Sequence, residues 1–400
     1  MLKFTPKRML NVLILVGLYS LVSACSPQNS DIKAQQTPPV AVHQAAVAMP
    51  DTFSADAAKA ILEKGGNAID AAITAQFVLA VTLPEAGNIG ILASGVPGTV
   101  AGMWLAHQKY GSLPWQDLVQ PAVLLAEQGF VVHPKLGGYI ERHIKRLAER
   151  GFDVNFKDYF ANAVAGEVFK QAELAKTLSR IRDQGRDGFY LGETAKLIAD
   201  FMRKEKGLIS EQDLAQYDAV AREPLTAPWG PYQILTSPPP SSGGIAIIQW
   251  LDMYELLANK YTNLEQNSAP YIHLLAEIGK RVFADRAEYL GDPDFVTVPV
   301  TSLIAPAYIE KRSIGISADA ISDTASIKPG LKESEETTHF SIMDKWGNGV
   351  SNTTTINLGF GNSVVVEGAG FLLNDEMDDF SSKPGVANVF GAVGGSANEI

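Results

Sequence analysis

Thr337 is the residue whose surroundings most clearly suggest chemistry. It follows Glu336 and opens the run 337–343, in which polar and apolar side chains alternate as they do in a strand. If the chain were cut before Thr337, this residue would carry a hydroxyl nucleophile together with a free α-amine. The pKa of an α-amine is about 8, so near neutral pH part of it is an unprotonated base. The plainer interpretation is that Thr337 is an ordinary strand residue.

The elements that would hold Thr337 in place form a hairpin. His339 falls on the polar face of the first predicted strand and Phe340 on its apolar face. Residues 344–349 are typical of a turn, and Val350–Leu358 is predicted to return as the second strand. Two further short strands are predicted at 364–366 and 371–373.

Most of the chain before Glu336 has helical patterns. Alanine-rich helices are predicted on either side of Gly65-Gly66, each with a polar residue at its start. The predicted helical segments are Ser54–Lys64, Asn67–Thr82, 97–130, surface helices within 133–215, Ile245–Leu257 and 269–290. A short strand, Tyr232–Thr236, precedes Pro238–Gly244, which is either a stiff turn with a serine cap or an anion site at a helix start. Helices first and hairpins later predict a layered α/β arrangement.

Composition excludes several classes of protein. The 400 residues are 46% hydrophobic and 19% charged, which is typical of a globular chain with a sizeable core. The net charge of −11 and the lack of a basic stripe argue against nucleic-acid binding. The single cysteine excludes an intramolecular disulfide, and the six histidines have no ligand-like spacing, so we expect no metal and no cofactor.

The N-terminus is predicted to be a targeting segment. Basic residues precede the apolar run Met9–Val22, which is too short for a good membrane span. The small residues before Cys25 resemble a bacterial lipoprotein cleavage box, which predicts a signal peptide at 1–24 and lipidation of Cys25. Residues 25–45 are predicted to be a flexible tether. We therefore expect a lipid-anchored protein of the bacterial envelope that faces the periplasm, with the outer membrane favoured over the inner one. The alternative is a plain secretory signal.

Four motifs, in order along the chain, resemble the γ-glutamyltranspeptidase family. The motifs are Pro238-Pro239-Pro240-Ser241-Ser242-Gly243-Gly244, Ala284-Asp285-Arg286-Ala287-Glu288-Tyr289-Leu290-Gly291-Asp292-Pro293, Glu336-Thr337-Thr338-His339-Phe340-Ser341 and Leu373-Asn374-Asp375-Glu376-Met377-Asp378-Asp379-Phe380-Ser381. The similarity runs from about Ala45 to the last residue.

The resemblance implies an N-terminal-nucleophile hydrolase with a four-layer αββα sandwich. It implies a precursor that cuts itself between Glu336 and Thr337, giving a large-subunit region at 46–336 and a small-subunit region at 337–400. The two subunits would stay together. The substrates implied are glutathione and other γ-glutamyl compounds, with water, amino acids or dipeptides as acceptors, and the membrane is contacted through the lipid anchor alone.

The resemblance also assigns roles to residues. Thr337 matches the nucleophile, and Thr355 matches a second threonine whose hydroxyl hydrogen-bonds it. Asn357 matches a residue that contacts the α-amino group of the γ-glutamyl moiety, and Glu376 and Asp379 match the acidic pair that holds the same ammonium. Carboxylates in a partly dry pocket suit a cation. His339 is interpreted as structural.

The chain departs from the family pattern in two places. Gly87-Asn88-Ile89-Gly90 runs directly into 91–98, where the family has a further segment that includes the arginine for the substrate carboxylate. Losing such a contact is expected to weaken affinity by about ten- to hundredfold. The chain also stops at Ile400, within the small subunit, so an incomplete sandwich without the family's oxyanion glycines is expected.

Two other interpretations follow from these departures. One is an inactive lipoprotein relative that binds without turnover. The other is an acylase of the same superfamily that acts on a different amide, although Glu376 and Asp379 favour an amino-acid-like substrate.

Overall fold

The computed structural model describes residues 45–83, 91–258, 260–261, 264–327, 338–380 and 398. The predicted signal peptide at 1–24, the lipidation residue Cys25 and the cleavage pair Glu336 and Thr337 lie outside these ranges. In the described parts of the chain no helix has both the length and the apolar character that a membrane span requires.

Helices make up most of the described chain. They are α1 (Thr52–Glu63), α2 (Ala68–Thr82), α3 (Thr99–Tyr110), α4 (Trp115–Gln128), α5 (Pro134–Glu149), α6 (Phe156–Phe160), α7 (Ala172–Gln184), α8 (Asp187–Tyr190), α9 (Gly192–Glu205), α10 (Glu211–Gln216), α11 (Gly243–Ala258), α12 (Ala269–Tyr289), α13 (Val300–Leu303) and α14 (Pro306–Ser313). The strands are β1 (Ala46–Ala48), β2 (Phe130–Val131), β3 (Val168–Phe169), β4 (Leu225–Trp229), β5 (Tyr232–Thr236), β6 (Thr338–Met343) and β7 (Gly349–Thr354).

The largest sheet of the described residues has the antiparallel order β1-β6-β7. Thr338 pairs with Thr354, and Met343 pairs with Gly349 across the turn. On β6, Phe340 and Ile342 are buried, 1% and 2% exposed, while His339 faces solvent, as the alternation predicts. Burying two such side chains stabilises this face by roughly 1.5–3 kcal/mol each.

The helix under this sheet is apolar on every side. Nearly all of α2 is buried, and it packs on α1, α4, β6 and β7. Such a helix has no solvent-facing stripe, as expected for a helix at the centre of a layered core. Asn67 and Asp70 form the predicted start of α2 as a reciprocal capping box, which satisfies two backbone N–H groups at that end.

Residues 225–316 have hydrophobic cores of their own. Met253, Leu274 and Ile278 belong to one cluster, formed where α11, α12 and α14 pack together. Below it, the Asp285 carboxylate accepts hydrogen bonds from Gln249 and Arg312, so the second motif of the sequence is used to hold helices together.

Several predictions need correction. Asp51 caps α1, and Ser54, predicted as the cap, lies buried in its first turn. The region 97–130 is two helices, because Gly111 ends α3 and Pro114 precedes α4. The predicted strands at 364–366 and 371–373 form a single bridge, between Val365 and Leu372. The prediction of surface helices within 133–215 holds, because α7 and α9 are amphipathic and bury one face, which includes Leu178 and Ile198, while they expose the other.

Candidate active site

Two polar contacts fix the β6–β7 hairpin onto α2. The Asp344 carboxylate, at the hairpin turn, accepts a 3.1 Å hydrogen bond from the backbone N–H of Ala68 at the start of the helix. Further along, the Gln76 amide donates to Thr354 Oγ1 at 3.1 Å and accepts from Asn352 at 3.0 Å. The end of β7 therefore has a fixed position on the helix.

Asp344 is ionised in spite of its burial. Burial alone would raise the pKa of this carboxyl, but hydrogen bonds from Asn348, Ala68 and Trp346 outweigh it, so its pKa lies below the usual range. The carboxylate also sits at the positive end of the α2 dipole, which favours the charged form.

Beyond β7 the chain turns and joins the acidic segment. Asn357 has φ +72°, a left-handed conformation that asparagine tolerates better than most residues. Its side-chain amide donates to the carbonyl of Asp375 at 3.0 Å, and its backbone N–H donates to Thr355 Oγ1 at 2.8 Å. The Asp375 carboxylate in turn accepts from the backbone N–H of Leu358 at 3.2 Å. Residues 355–358 and 374–376 are thus joined by several hydrogen bonds.

Glu376 lies where these two segments meet. Burial raises the pKa of its carboxyl to about 7, with repulsion from Asp379 and Asp375 adding to the shift. Hydrogen bonds from the Asn357 backbone and the Thr355 hydroxyl act in the opposite direction. Its Oε1 atom is buried and has no hydrogen-bond partner within the described part of the chain. A buried carboxylate oxygen of this kind is stabilised when a cation or another donor reaches it.

The structure therefore brings four predicted site residues together. Thr355, Asn357 and Glu376 are in hydrogen-bond contact, and Asp379 lies close enough to repel the Glu376 charge. A short 3₁₀ turn begins at Glu376 and ends at Asp379, which is exposed. The arrangement is an acidic group in which the largely buried carboxylate of Glu376 lies near the exposed carboxylate of Asp379, with the buried carboxylate of Asp375 beside them.

The predicted cleavage pair, Glu336 and Thr337, lies outside the described residues. Of Thr338, the structure describes the backbone, which starts β6. His339 is exposed, and its ring nitrogens hydrogen-bond Thr353 at 2.9 Å and Ser341 at 3.3 Å. Both partners lie on the solvent face of the sheet, in keeping with the predicted structural role.

Asn374 is a site residue that the sequence did not single out. Its side-chain amide accepts from the backbone N–H of Gly95 at 2.9 Å and donates to the carbonyl of the same residue at 2.8 Å. Its Oδ1 atom also accepts from the backbone N–H of Glu376 at 3.2 Å. One buried amide therefore ties Glu376 to the segment that follows residue 90, and no local pattern marks a contact over such a separation.

We expect Asn374→Ala to destabilise the protein and to loosen Glu376. Three hydrogen bonds are lost, and the backbone groups of the half-buried Gly95 are left without this partner, so the free energy of unfolding should fall by about 2–3 kcal/mol. KM for an amine-bearing substrate should rise while kcat changes less. Urea unfolding and steady-state kinetics measure both. The exposed Asn162→Ala is the matched control, and equal behaviour of the two variants would contradict this role.

An apolar pocket of about 200 Å³ adjoins the end of β7. It is lined by α2, the start of α3, α7, residues 354–356 and residues 370–372. Most of the lining is hydrophobic, and its polar members include Gln76, Thr177 and Thr355.

The serine–glycine segment at 238–244 lies at the start of α11. Ser241 Oγ accepts from the backbone N–H of Gly243 at 3.3 Å, and Arg286 donates to Ser242 Oγ at 3.1 Å. These contacts favour the serine-cap interpretation of this motif over the anion site. In the described residues no group of histidine, cysteine and carboxylate side chains could hold a metal ion.

Comparison with solved structures gives the class of protein. The chain superposes on a γ-glutamyltranspeptidase from Pseudomonas nitroreducens, complexed with L-DON, with a TM-score of 0.67 and 44% identity, over 72% of this chain and 98% of that one. It also superposes on a cephalosporin acylase from Bacillus halodurans with a TM-score of 0.76 and 24% identity, over 88% of this chain and 74% of that one, which is a likeness of fold alone. The mixed α/β fold of the N-terminal-nucleophile hydrolase type is confirmed.

Sequence comparison gives the family. The sequence model of gamma-glutamyltranspeptidase matches residues 54–91 and 89–400, in two pieces that meet where the sequence indicates a missing segment. The glutathione hydrolase proenzyme of Pseudomonas aeruginosa is 49% identical over 401 residues, covering 89% of this chain and 71% of the relative. That of Escherichia coli is 39% identical over 416 residues, covering 90% and 71%. The chain belongs to the gamma-glutamyltranspeptidase family, as the four motifs predict.

Proposed function

We propose that this chain is a proenzyme that cleaves itself before Thr337 and then transfers γ-glutamyl groups from glutathione and related amides. The observation that carries the proposal is the contact of Thr355, Asn357 and Glu376, with Asp379 beside them, at the end of the hairpin that Thr338 begins. In the sequence Thr337 directly precedes Thr338, the first residue of that hairpin. Family membership and the proenzyme relatives support the same assignment.

Cleavage would use the Thr337 side chain against its own peptide bond. The hydroxyl attacks the Glu336 carbonyl carbon, the C–N bond breaks, and the nitrogen leaves with a proton as the new α-amine. Water then hydrolyses the resulting ester, which frees a Glu336 carboxylate and restores the hydroxyl. The products are a large piece that ends at Glu336 and a small one that begins with Thr337.

Transfer would follow the same two-step logic. The unprotonated Thr337 amine accepts the hydroxyl proton while the oxygen attacks the γ-carbonyl of the donor. The donor amine leaves with a proton, and the γ-glutamyl group remains as an ester on Thr337. Water, an amino acid or a dipeptide then takes the acyl group and restores the hydroxyl. No cofactor or metal takes part in these steps.

The acidic group would select the donor. Glu376 Oε1 is the buried acceptor without a described partner, and an α-ammonium group would supply the missing donor and relieve the repulsion from Asp379. Asn357 is placed beside it and presents its amide to the same segment. The arrangement favours a donor that carries a primary amine over a plain dicarboxylic amide.

The pKa of Glu376 predicts a pH dependence of donor affinity. Below about 7 the carboxyl is protonated and neutral, and above it the group is an anion that holds the ammonium. KM for the donor should therefore fall as pH rises through about 7. Steady-state kinetics measure this KM between pH 5.5 and 8.5, roughly one and a half units on either side of the pKa. The stability of the intact protein is checked at each pH. A KM that stays constant over this range would contradict the assignment.

A second candidate is an acylase with a different amide specificity. An acylase proenzyme from a Pseudomonas strain is 38% identical over 301 residues, covering 75% of this chain and 53% of the relative. The experiment that separates the two uses a pair of chromogenic anilides, one γ-glutamyl and one glutaryl, which differ by the α-amine alone. We expect turnover of the γ-glutamyl compound, at least tenfold above the glutaryl one. The reverse preference would establish the acylase, and no turnover of either would support an inactive relative.

We also propose a site of action from the N-terminal sequence. The basic and apolar pattern before Cys25 supports export, and Ser26 and Pro27 give no acidic cue for retention at the inner membrane. Lipidation of Cys25 would place the enzyme on the periplasmic side of the envelope, and the tether at 25–45 would connect the folded domain flexibly to the membrane. Metabolic labelling with a fatty-acid analogue tests this, and a Cys25→Ser variant that labels equally would contradict it.

A further inference from the structure

Thr355 borders two different environments. Its hydroxyl hydrogen-bonds the Glu376 carboxylate, and the same residue lines the apolar pocket of about 200 Å³ between α2 and α7. The neighbouring Thr354 lines the pocket as well and is held there by Gln76. The acidic group and the pocket are therefore joined at the end of β7.

One part of the pocket wall is apolar and buried. Phe77, Leu178 and Ile181 line it and are 3%, 2% and 2% exposed. Space lined in this way holds water poorly, and an apolar cavity of about 150 Å³ binds benzene. Ala80 also lines the pocket and is exposed to solvent, so a large side chain there can reach the pocket from outside.

Polar side chains in the walls are already engaged by the protein. The Thr177 hydroxyl donates to the Ala369 carbonyl at 2.8 Å, and the Gln171 amide donates to the Val81 carbonyl at 2.8 Å. The Gln76 side-chain amide donates to Thr354 and accepts from Asn352, both on β7. These groups offer little to a charged ligand, because binding it would break contacts within the protein. The pocket is suited to an uncharged group.

We propose that this pocket binds an uncharged aromatic or branched aliphatic group, about the size of a substituted benzene, on the amine side of the donor amide. The proposal rests on the proposed function, since it takes the acidic group as the site of the donor's α-ammonium. If the α-ammonium of the donor binds at Glu376 and its γ-carbonyl lies near Thr355, the pocket is the space that remains for the amine that leaves. The chain should therefore favour γ-glutamyl amides of apolar amines.

The binding site is tested without any catalysis. Fluorobenzene is titrated against the full chain and followed by ¹⁹F NMR. We expect saturable binding to the wild type and to Ala60→Trp, and binding at least tenfold weaker to Ala80→Trp. Both alanines are exposed and helical, but Ala60, on α1, does not line the pocket, so it is the matched control. Binding that does not saturate, or that is equal in the two tryptophan variants, would overturn the site.

The role in the reaction has its own readout. Fluorobenzene should raise KM for γ-glutamyl anilide at least twofold in the wild type, leave kcat unchanged, and have no such effect in Ala80→Trp. An unchanged KM under saturating fluorobenzene would overturn the assignment to the amine side. If fluorobenzene binds as expected but no γ-glutamyl compound is turned over, the pocket is established and the proposed function is the part that fails.

Discussion

Thr337→Ala is expected to yield a single uncut polypeptide with no transferase activity. The variant lacks the hydroxyl that attacks the Glu336 carbonyl, and it also lacks the nucleophile for every later step, so activity should fall by on the order of 10³-fold or more. Thr337→Ser keeps a hydroxyl and should retain some cleavage. Denaturing gels over several hours, with kinetics on the same samples, measure both effects.

The matched control for this change is Thr353→Ala. Thr353 is an exposed threonine on β7 that contacts His339, so its loss removes a hydroxyl from the same hairpin without touching the cleavage bond. The control should be cut as the wild type is. Cleavage of Thr337→Ala at the wild-type rate would mean that an outside protease cuts the chain.

Glu376→Gln is expected to weaken donor binding and to stabilise the free protein at the same time. The amide keeps the shape of the side chain but loses the charge-assisted contact to the ammonium, which is worth about 1.5–3 kcal/mol. The value of kcat/KM should therefore fall roughly 10- to 100-fold, and the fall of KM with rising pH should disappear. Kinetics on the two anilides at pH 6 and at pH 8, either side of about 7, test this.

Although Glu376→Gln weakens donor binding, it is expected to increase the stability of the free protein. In the wild type the folded carboxyl has its pKa raised from 4.5 to about 7, so the folded state holds a proton that the unfolded state has released. This contribution is fully present below about pH 4.5 and is lost as pH rises through about 7. At pH 8 the variant should be more stable than the wild type by up to about 3 kcal/mol, a gain that vanishes at acid pH. The exposed Glu265→Gln is the control, and a destabilised Glu376→Gln would contradict the pKa argument.

Local patterns were enough for the hairpin but not for the acidic group. Alternation and an acidic, glycine-rich turn are properties of neighbouring residues, so the hairpin and the buried face of β6 followed from the sequence. The second strand was predicted to run to Leu358 but ends at Thr354, and beyond it the backbone of Asn357 is left-handed instead of extended. The segment around Glu376 has the composition of a solvated turn, and its grouping with Thr355 and Asn357 came from the family resemblance. Its burial comes from contacts with residues 355–358, which no local pattern encodes.

Long-range polar contacts were the main omission. Asn374 and Gly95 are far apart in the chain, and a single amide that pairs with one backbone unit leaves no periodic signal. The short strands predicted at 364–366 and 371–373 were wrong for a local reason. Gly368 and Gly370 have positive φ values, so the chain bends sharply and allows one bridge instead of a ladder.

The proposed acyl-enzyme is tested most directly by the mass of the small fragment after a γ-glutamyl donor has been added and the reaction quenched in acid. We expect a fragment whose first residue is Thr337 and which carries one γ-glutamyl group that hydroxylamine removes. An intact chain without a fragment, or a γ-glutamyl group attached to any other residue, would contradict it.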